Sequence, residues 1–130
     1  MNQVSRPLSP HLQVYRWAVS NTLSILHRMT GVALSIGAIA LIGWLLALAA
    51  GQASFLQLSD LFRSFIGQFL LLGLSFAFFF HLCNGIRHLA WDIDRGFDKH
   101  FARKSGLVVV CISVLLTLAF WVFALTGGVA

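Results

Sequence analysis

Three long apolar stretches alternate with short polar segments along the chain. The first covers about residues 29–50 and contains no charge; the second covers about 65–91; the third covers about 106–128 and holds no ionisable group. Each exceeds the roughly 20 residues that carry a helix across about 30 Å of hydrocarbon, so the pattern predicts an all-α membrane protein with three transmembrane helices in a single domain, residues 1–130. Residues 1–28 read as a polar to amphipathic segment in which Pro7 and Pro10 disfavour helix before them, with a helical start near Trp17 to Asn21. The connection GQASFLQLSDLFRS at 51–64 is half apolar and is expected to lie along the membrane interface until Ser59 or Asp60 starts the next helix. In the first span Gly31, Ser35 and Ala38 form a stripe of small residues, suited to close approach of another helix.

Composition agrees with lipid as the solvent. The chain is 58% hydrophobic and only 10% charged, with a mean hydropathy of +0.86, whereas soluble domains are about a quarter charged. A chain of this size has little left for a soluble domain, so any large catalytic apparatus belongs to partners. The net charge of +5 does not point to nucleic acid, because no basic run or aromatic-basic interleaving occurs and the charges cluster at the ends of the apolar segments. Three spans put the N-terminus and the charged loop DIDRGFDKHFARKS at 92–105 on one side. That side carries Arg6, Arg16, Arg28, Arg87, Arg95, Lys99, Arg103 and Lys104, against Arg63 on the other, so the positive-inside rule predicts a cytoplasmic (or matrix) N-terminus. Trp17 and Trp91 then fall near the inner interface, Trp44 and Trp121 toward the outer one.

The N-terminal stretch MNQVSRPLSPHLQVYRW has neither the apolar run of a secretory signal nor the composition of a transit sequence. Taken as a full chain, it predicts the bacterial inner membrane; a mature eukaryotic chain would belong in the mitochondrial inner membrane. Cys83 and Cys111 sit within apolar segments and form no CxxC or CxxCH pattern, so neither a disulfide, a zinc site nor covalent haem is indicated.

His81 lies ten residues before Trp91, or about 15 Å from the inner end of its helix, near the bilayer midplane. An imidazole at that depth must be hydrogen-bonded, protonated or coordinated. It serves either metal or proton chemistry or, more plainly, a neutral hydrogen bond to a neighbouring helix. His88 is two turns further on, about 10 Å along the axis, too far to share one metal ion with His81. A haem ligated by His81 could stand on edge with its propionates toward the polar inner end, where His88 or Arg87 would meet them; Gly85 removes a side chain one turn from His81, as a close ring or a packed helix would require. His11, His27 and His100 are expected at or outside the inner interface, leaving no second histidine at the depth of His81. The sixth iron ligand would then be absent or come from another polypeptide.

In the second constellation, SILHR, Ser24 and Arg28 are i and i+4 and share a helix face at the inner interface. A hydroxyl and a guanidinium there could hydrogen-bond the carbonyl of a lipophilic head group; equally, Arg28 could be a snorkelling anchor.

The segments RPLSPHLQVYR, SILHRMTG and HLCNGIRHLAWD, in this order and spacing within a three-span chain, resemble the cytochrome b subunits of succinate dehydrogenase, the larger membrane anchors of respiratory complex II. The resemblance implies a helical bundle shared with a second small anchor subunit, a flavoprotein that oxidises succinate, an iron–sulfur protein that passes electrons to the membrane, and haem b and ubiquinone bound between the anchors. It implies that this chain holds no succinate-oxidising residues, that His81 is an axial haem ligand, that Ser24 and Arg28 belong to a quinone site, and that His27, Arg28 and His88 lie near the haem propionates. Asp92 would fall near the inner quinone region, or pair with Arg95 as a helix-end charge. Two other readings are a self-contained b-type cytochrome, which should present facing histidines on two spans, and a haem-free scaffold, which needs no His81.

Overall fold

A computed structural model describes residues 17–94, 96 and 98–127. It contains four helices in chain order: α1 (Val19–Ala50), α2 (Gln52–Arg63), α3 (Phe65–Asp92) and α4 (Lys99–Thr126). Among the described residues, α1, α3 and most of α4 are long and apolar enough to cross a membrane. The three expected spans are present, and both ends of the chain's polar segments gain helix. α1 begins at Val19, about ten residues before its uncharged run, because nothing from Val19 to Arg28 breaks a helix and Leu23 finds a buried place against the bundle.

The 51–64 connection is itself helical. Gly51, at φ +112°, makes the turn out of α1, a left-handed conformation that glycine adopts without a Cβ penalty. Phe55, Leu58, Ser59 and Phe62 then lie on one half-buried face of α2 at i, i+3, i+4 and i+7, while Gln52, Gln57, Asp60 and Arg63 are exposed. The expectation of an interfacial segment is consistent with this amphipathic helix, but the next helix does not start at Ser59 or Asp60. It starts at Phe65, because Ser64 leaves helical geometry at ψ 157° and caps α3, its hydroxyl accepting from the Gly67 backbone N–H at 3.1 Å. Gly67 packs so tightly on the Leu61 carbonyl and Phe62 backbone that a Cβ there would have no room.

α3 is the central element, packed along α4 on one side and α1 on the other. The protein's core is small: Leu23, Ala77, Phe80 and Val109 are buried, with Phe76, Cys83 and Val110 packed around them. Most large apolar side chains point outward, as lipid or partner helices require. On α1 the side chains or backbone that meet α3 belong to His27, Thr30, Gly31 and Gly37, all half-buried, with buried Leu23 one turn before His27. This is a different line from the small-residue stripe of the sequence: Ser35 and Ala38 are exposed, and Ser35 bonds back to the Gly31 carbonyl. The two true close approaches are Gly31, beside His81, and Gly37, where a Cβ would come within 2.6 Å of Leu74.

Candidate functional site

The extension of α1 below residue 29 carries His27 into the bundle, where it meets His81 of α3. The imidazole rings are stacked, with centroids 3.9 Å apart and planes 10° from parallel. This corrects the expectation that His27 stands at or outside the interface and that no second histidine reaches His81. The reason lies in tertiary packing: α1 and α3 approach closely enough that the eighth residue after the start of α1 lies level with the eleventh before the end of α3. Facing histidines on two spans are therefore present, yet they do not form a two-ligand site. Imidazole lone pairs lie in the ring plane, so two parallel stacked rings cannot both point at an ion between them. His88 completes the row, its ring 5.1 Å from that of His27 and edge-on to Trp91 at 5.1 Å.

The orientation of His81 is set by α1. Its Nδ1 lies 3.1 Å from the backbone carbonyl of His27 and 3.2 Å from the Thr30 hydroxyl. A carbonyl oxygen only accepts, so Nδ1 carries the proton and Nε2 keeps its lone pair. The Thr30 hydroxyl donates to the same His27 carbonyl at 2.9 Å, which closes a three-membered polar cluster. A Cβ at Gly31 would stand 3.1 Å from His81 Cε1 and 3.7 Å from its Nδ1. Gly85 is looser, since a Cβ there would meet only His27 Cε1 at an ordinary 3.9 Å. Of the two glycines near the histidines, Gly31 is the one the ring requires. Buried His27 Nδ1 has no hydrogen-bond partner among the described residues.

Ser24 and Arg28 come together as their spacing predicts, with Arg28 Nη2 directed at Ser24 Oγ at 3.5 Å. Arg28 is exposed and Ser24 half-buried, so the pair presents a hydroxyl and a cation to the outside of α1 one turn from His27.

Arg87 does not face the histidine row. It is 7% exposed and turned to α4, donating from Nε to the Ser105 hydroxyl at 3.1 Å, from Nη1 to Asn84 Oδ1 at 3.2 Å and from Nη2 to the Ala102 carbonyl at 2.9 Å. Its guanidinium also lies 4.0 Å over the Trp91 ring, whose Nε1 donates to the Gly96 carbonyl. Three of its donors are thus engaged by Ser105 and Ala102 of α4 and Asn84 of α3, which gives Arg87 a structural role between these helices on the side away from the histidines. Asp92 is exposed at the end of α3. Arg95 and His11 lie outside the described residues, and His100 is exposed in the first turn of α4. No group of three or more His, Cys, Asp or Glu suited to a metal ion occurs among the described residues.

The transmembrane-subunit model of succinate dehydrogenase and fumarate reductase matches residues 2–120. This chain belongs to that family. It is 47% identical over 117 residues to the succinate dehydrogenase cytochrome b556 subunit of Rickettsia felis, covering 90% of this chain and 91% of the relative. It is 37% identical over 127 residues to the cytochrome b556 subunit of Paracoccus denitrificans, covering 95% and 98%. The mitochondrial cytochrome b560 subunit of Sus scrofa is 40% identical over 116 residues, covering 85% of this chain and 67% of the relative. As a succinate dehydrogenase transmembrane subunit, the chain is a multi-pass inner-membrane component of an enzyme complex, which accounts for an apolar exterior that no single bundle could bury.

Thr30 and the His27 carbonyl were invisible to sequence reasoning. A threonine in a span gives no signal of its own, and a backbone carbonyl has none; only the pairing of α1 with α3 brings them to His81.

Proposed function

We propose that the chain is the haem- and quinone-binding anchor of a succinate:quinone oxidoreductase, with its N-terminus and the 92–105 loop on the cytoplasmic (or matrix) side. The observation that carries this reading is His81: a membrane-depth imidazole whose protonated Nδ1 is held by α1 and whose Nε2 lone pair is left for a ligand. The residues present fit a haem b, as the cytochrome names of the relatives suggest. His81 Nε2 would bind the iron, and His27, whose buried Nδ1 lacks a partner, would with Arg28 and His88 serve the propionates. Stacked on His81, the His27 ring cannot offer its lone pair to the same ion, so any second iron ligand would come from another subunit, which supports a second small anchor over a self-contained cytochrome. When bound, the haem supplies a one-electron centre whose potential its ligands and their hydrogen bonds tune.

Ser24 and Arg28 are the quinone-binding pair. The hydroxyl and the guanidinium can both donate to one quinone carbonyl oxygen entering from the bilayer, and the fixed charge of Arg28 stabilises negative charge on that oxygen as electrons arrive from an iron–sulfur partner. Interfacial water supplies the protons. Succinate oxidation itself belongs to the flavoprotein partner.

Reduced-minus-oxidised spectra of the purified complex, with and without His81→Ala, test the assignment. Loss of the haem band with the flavin and iron–sulfur chains still attached is expected; an unchanged band would remove His81 as ligand. A haem-free scaffold predicts a band that His81→Ala leaves unchanged.

A further inference from the structure

The cluster around His81 contains more than the ligand reading uses. The ring meets two consecutive residues of α1: the Thr30 hydroxyl lies 3.2 Å from Nδ1, and a Cβ added at Gly31 would come within 3.1 Å of Cε1. The Nδ1 proton is shared between the Thr30 oxygen and the His27 carbonyl, while the Thr30 hydroxyl donates to that same carbonyl at 2.9 Å. Rotation about the Cβ–Cγ bond would take Nδ1 away from both acceptors, and a side chain at position 31 would crowd the ring where it stands. Acceptors on Nδ1–H push electron density toward Nε2 and make it the more basic ligand.

We propose that Thr30 and Gly31 are positioning residues for the His81 ligand: Thr30 shares the Nδ1 proton that the His27 carbonyl fixes and so strengthens electron donation at Nε2, and Gly31 leaves the space in which the ring stands. The proposal rests on the reading of His81 as an axial haem ligand. A more basic imidazole favours ferric over ferrous iron, so Thr30 holds the midpoint potential down. A methyl at position 31 would displace the ring, and a displaced ligand ring would change the g-anisotropy of a ferric haem bound there.

The test uses the intact complex purified from membranes, with flavin content as the measure of assembly and haem followed by redox titration and low-temperature EPR. Thr30→Val, which keeps the shape and removes the hydroxyl, is expected to raise the haem midpoint potential, and Thr30→Ser to restore it. Gly31→Ala, whose methyl would crowd Cε1, is expected to shift the largest g value while haem content stays near that of the parent. Assembled Thr30→Val and Gly31→Ala complexes with parental potential and parental g values would overturn the proposal. His81→Ala in the same series separates the two readings: haem retained there defeats the ligand assignment, whereas haem lost there with unaltered Thr30 and Gly31 variants defeats only the positioning roles. If Gly31→Ala does not assemble, Thr30→Val against Thr30→Ser still decides, since a hydroxyl-dependent potential has no purely structural explanation.

Discussion

Three donors of the Arg87 guanidinium are satisfied by groups of α3 and α4, and its face covers Trp91. Asn84 is completely buried, and Arg87 is the partner of its side-chain oxygen; its Nδ2 has none among the described residues. Replacing Arg87 by Met would leave that amide with no partner at all, at a cost of about 1–3 kcal/mol for the stranded polar group, read as a lower midpoint of thermal dissociation in detergent. Arg87→Lys is expected to recover little, because a single ammonium cannot reproduce three directions of a planar fork. Arg28 behaves oppositely. It is exposed and its contact to Ser24 is long, so Arg28→Ala should leave stability nearly unchanged. It should lower succinate-driven quinone reduction while leaving electron transfer to a soluble dye intact; loss of both activities together would mean failed assembly instead. At this scale the pairing of Ser24 with Arg28 was legible in the sequence, since i and i+4 share a helix face. The turning of Arg87 away from His88 was not, because neighbouring residues on a helix point about 100° apart and only the location of α4 decides which one is covered.

The four helices owe their boundaries to local chemistry. Ser64 ends α2 and starts α3 through its hydroxyl, which both donates to the Leu61 carbonyl and accepts from Gly67 N–H. Ser64→Ala should destabilise this joint by about 1 kcal/mol, the usual loss of an N-cap, detectable as faster hydrogen exchange of the amides from Phe65 to Gln68. α2 shows why hydrophobic runs alone underdetermine elements. Its mixture of apolar and polar residues resembles a connection when averaged, and resolves into a helix only when positions 55, 58, 59 and 62 are seen to share a half-buried face. The close seam of α1 was similarly misplaced by one face, since small residues mark possible contacts and Gly31 and Gly37 alone are pressed by side chains of α3.

As a whole, the molecule is a thin bundle with a few buried side chains and a wide apolar exterior, stable in a membrane and in company. The ends of α1, α3 and α4 that carry Leu23, Arg87 and Gly106 come together, so among the described residues Arg28, Arg87, Arg103 and Lys104 belong to the same end of the bundle. Reporter fusions should therefore place residue 96 on the cytoplasmic side and residue 51 on the opposite one; the reverse result would refute the orientation drawn from charge. Expressed without partners, the chain should aggregate or be degraded, because exposed side chains such as Phe65, Phe69, Ile66 and Leu70 on α3 face outward along one length of helix.

Length, apolarity and charge placement determined by themselves that this is a three-span membrane chain, since the bilayer admits few solutions for segments of that length. They also singled out His81, because an imidazole inside a span is costly unless used. What the tertiary structure decided was the company of that imidazole. His27, Thr30 and Gly31 are fifty or more residues away in sequence, and no periodicity within one helix can say which face another will meet. Packing α1 on α3 made those residues the walls of the histidine's site, and packing α4 on α3 removed Arg87 from it.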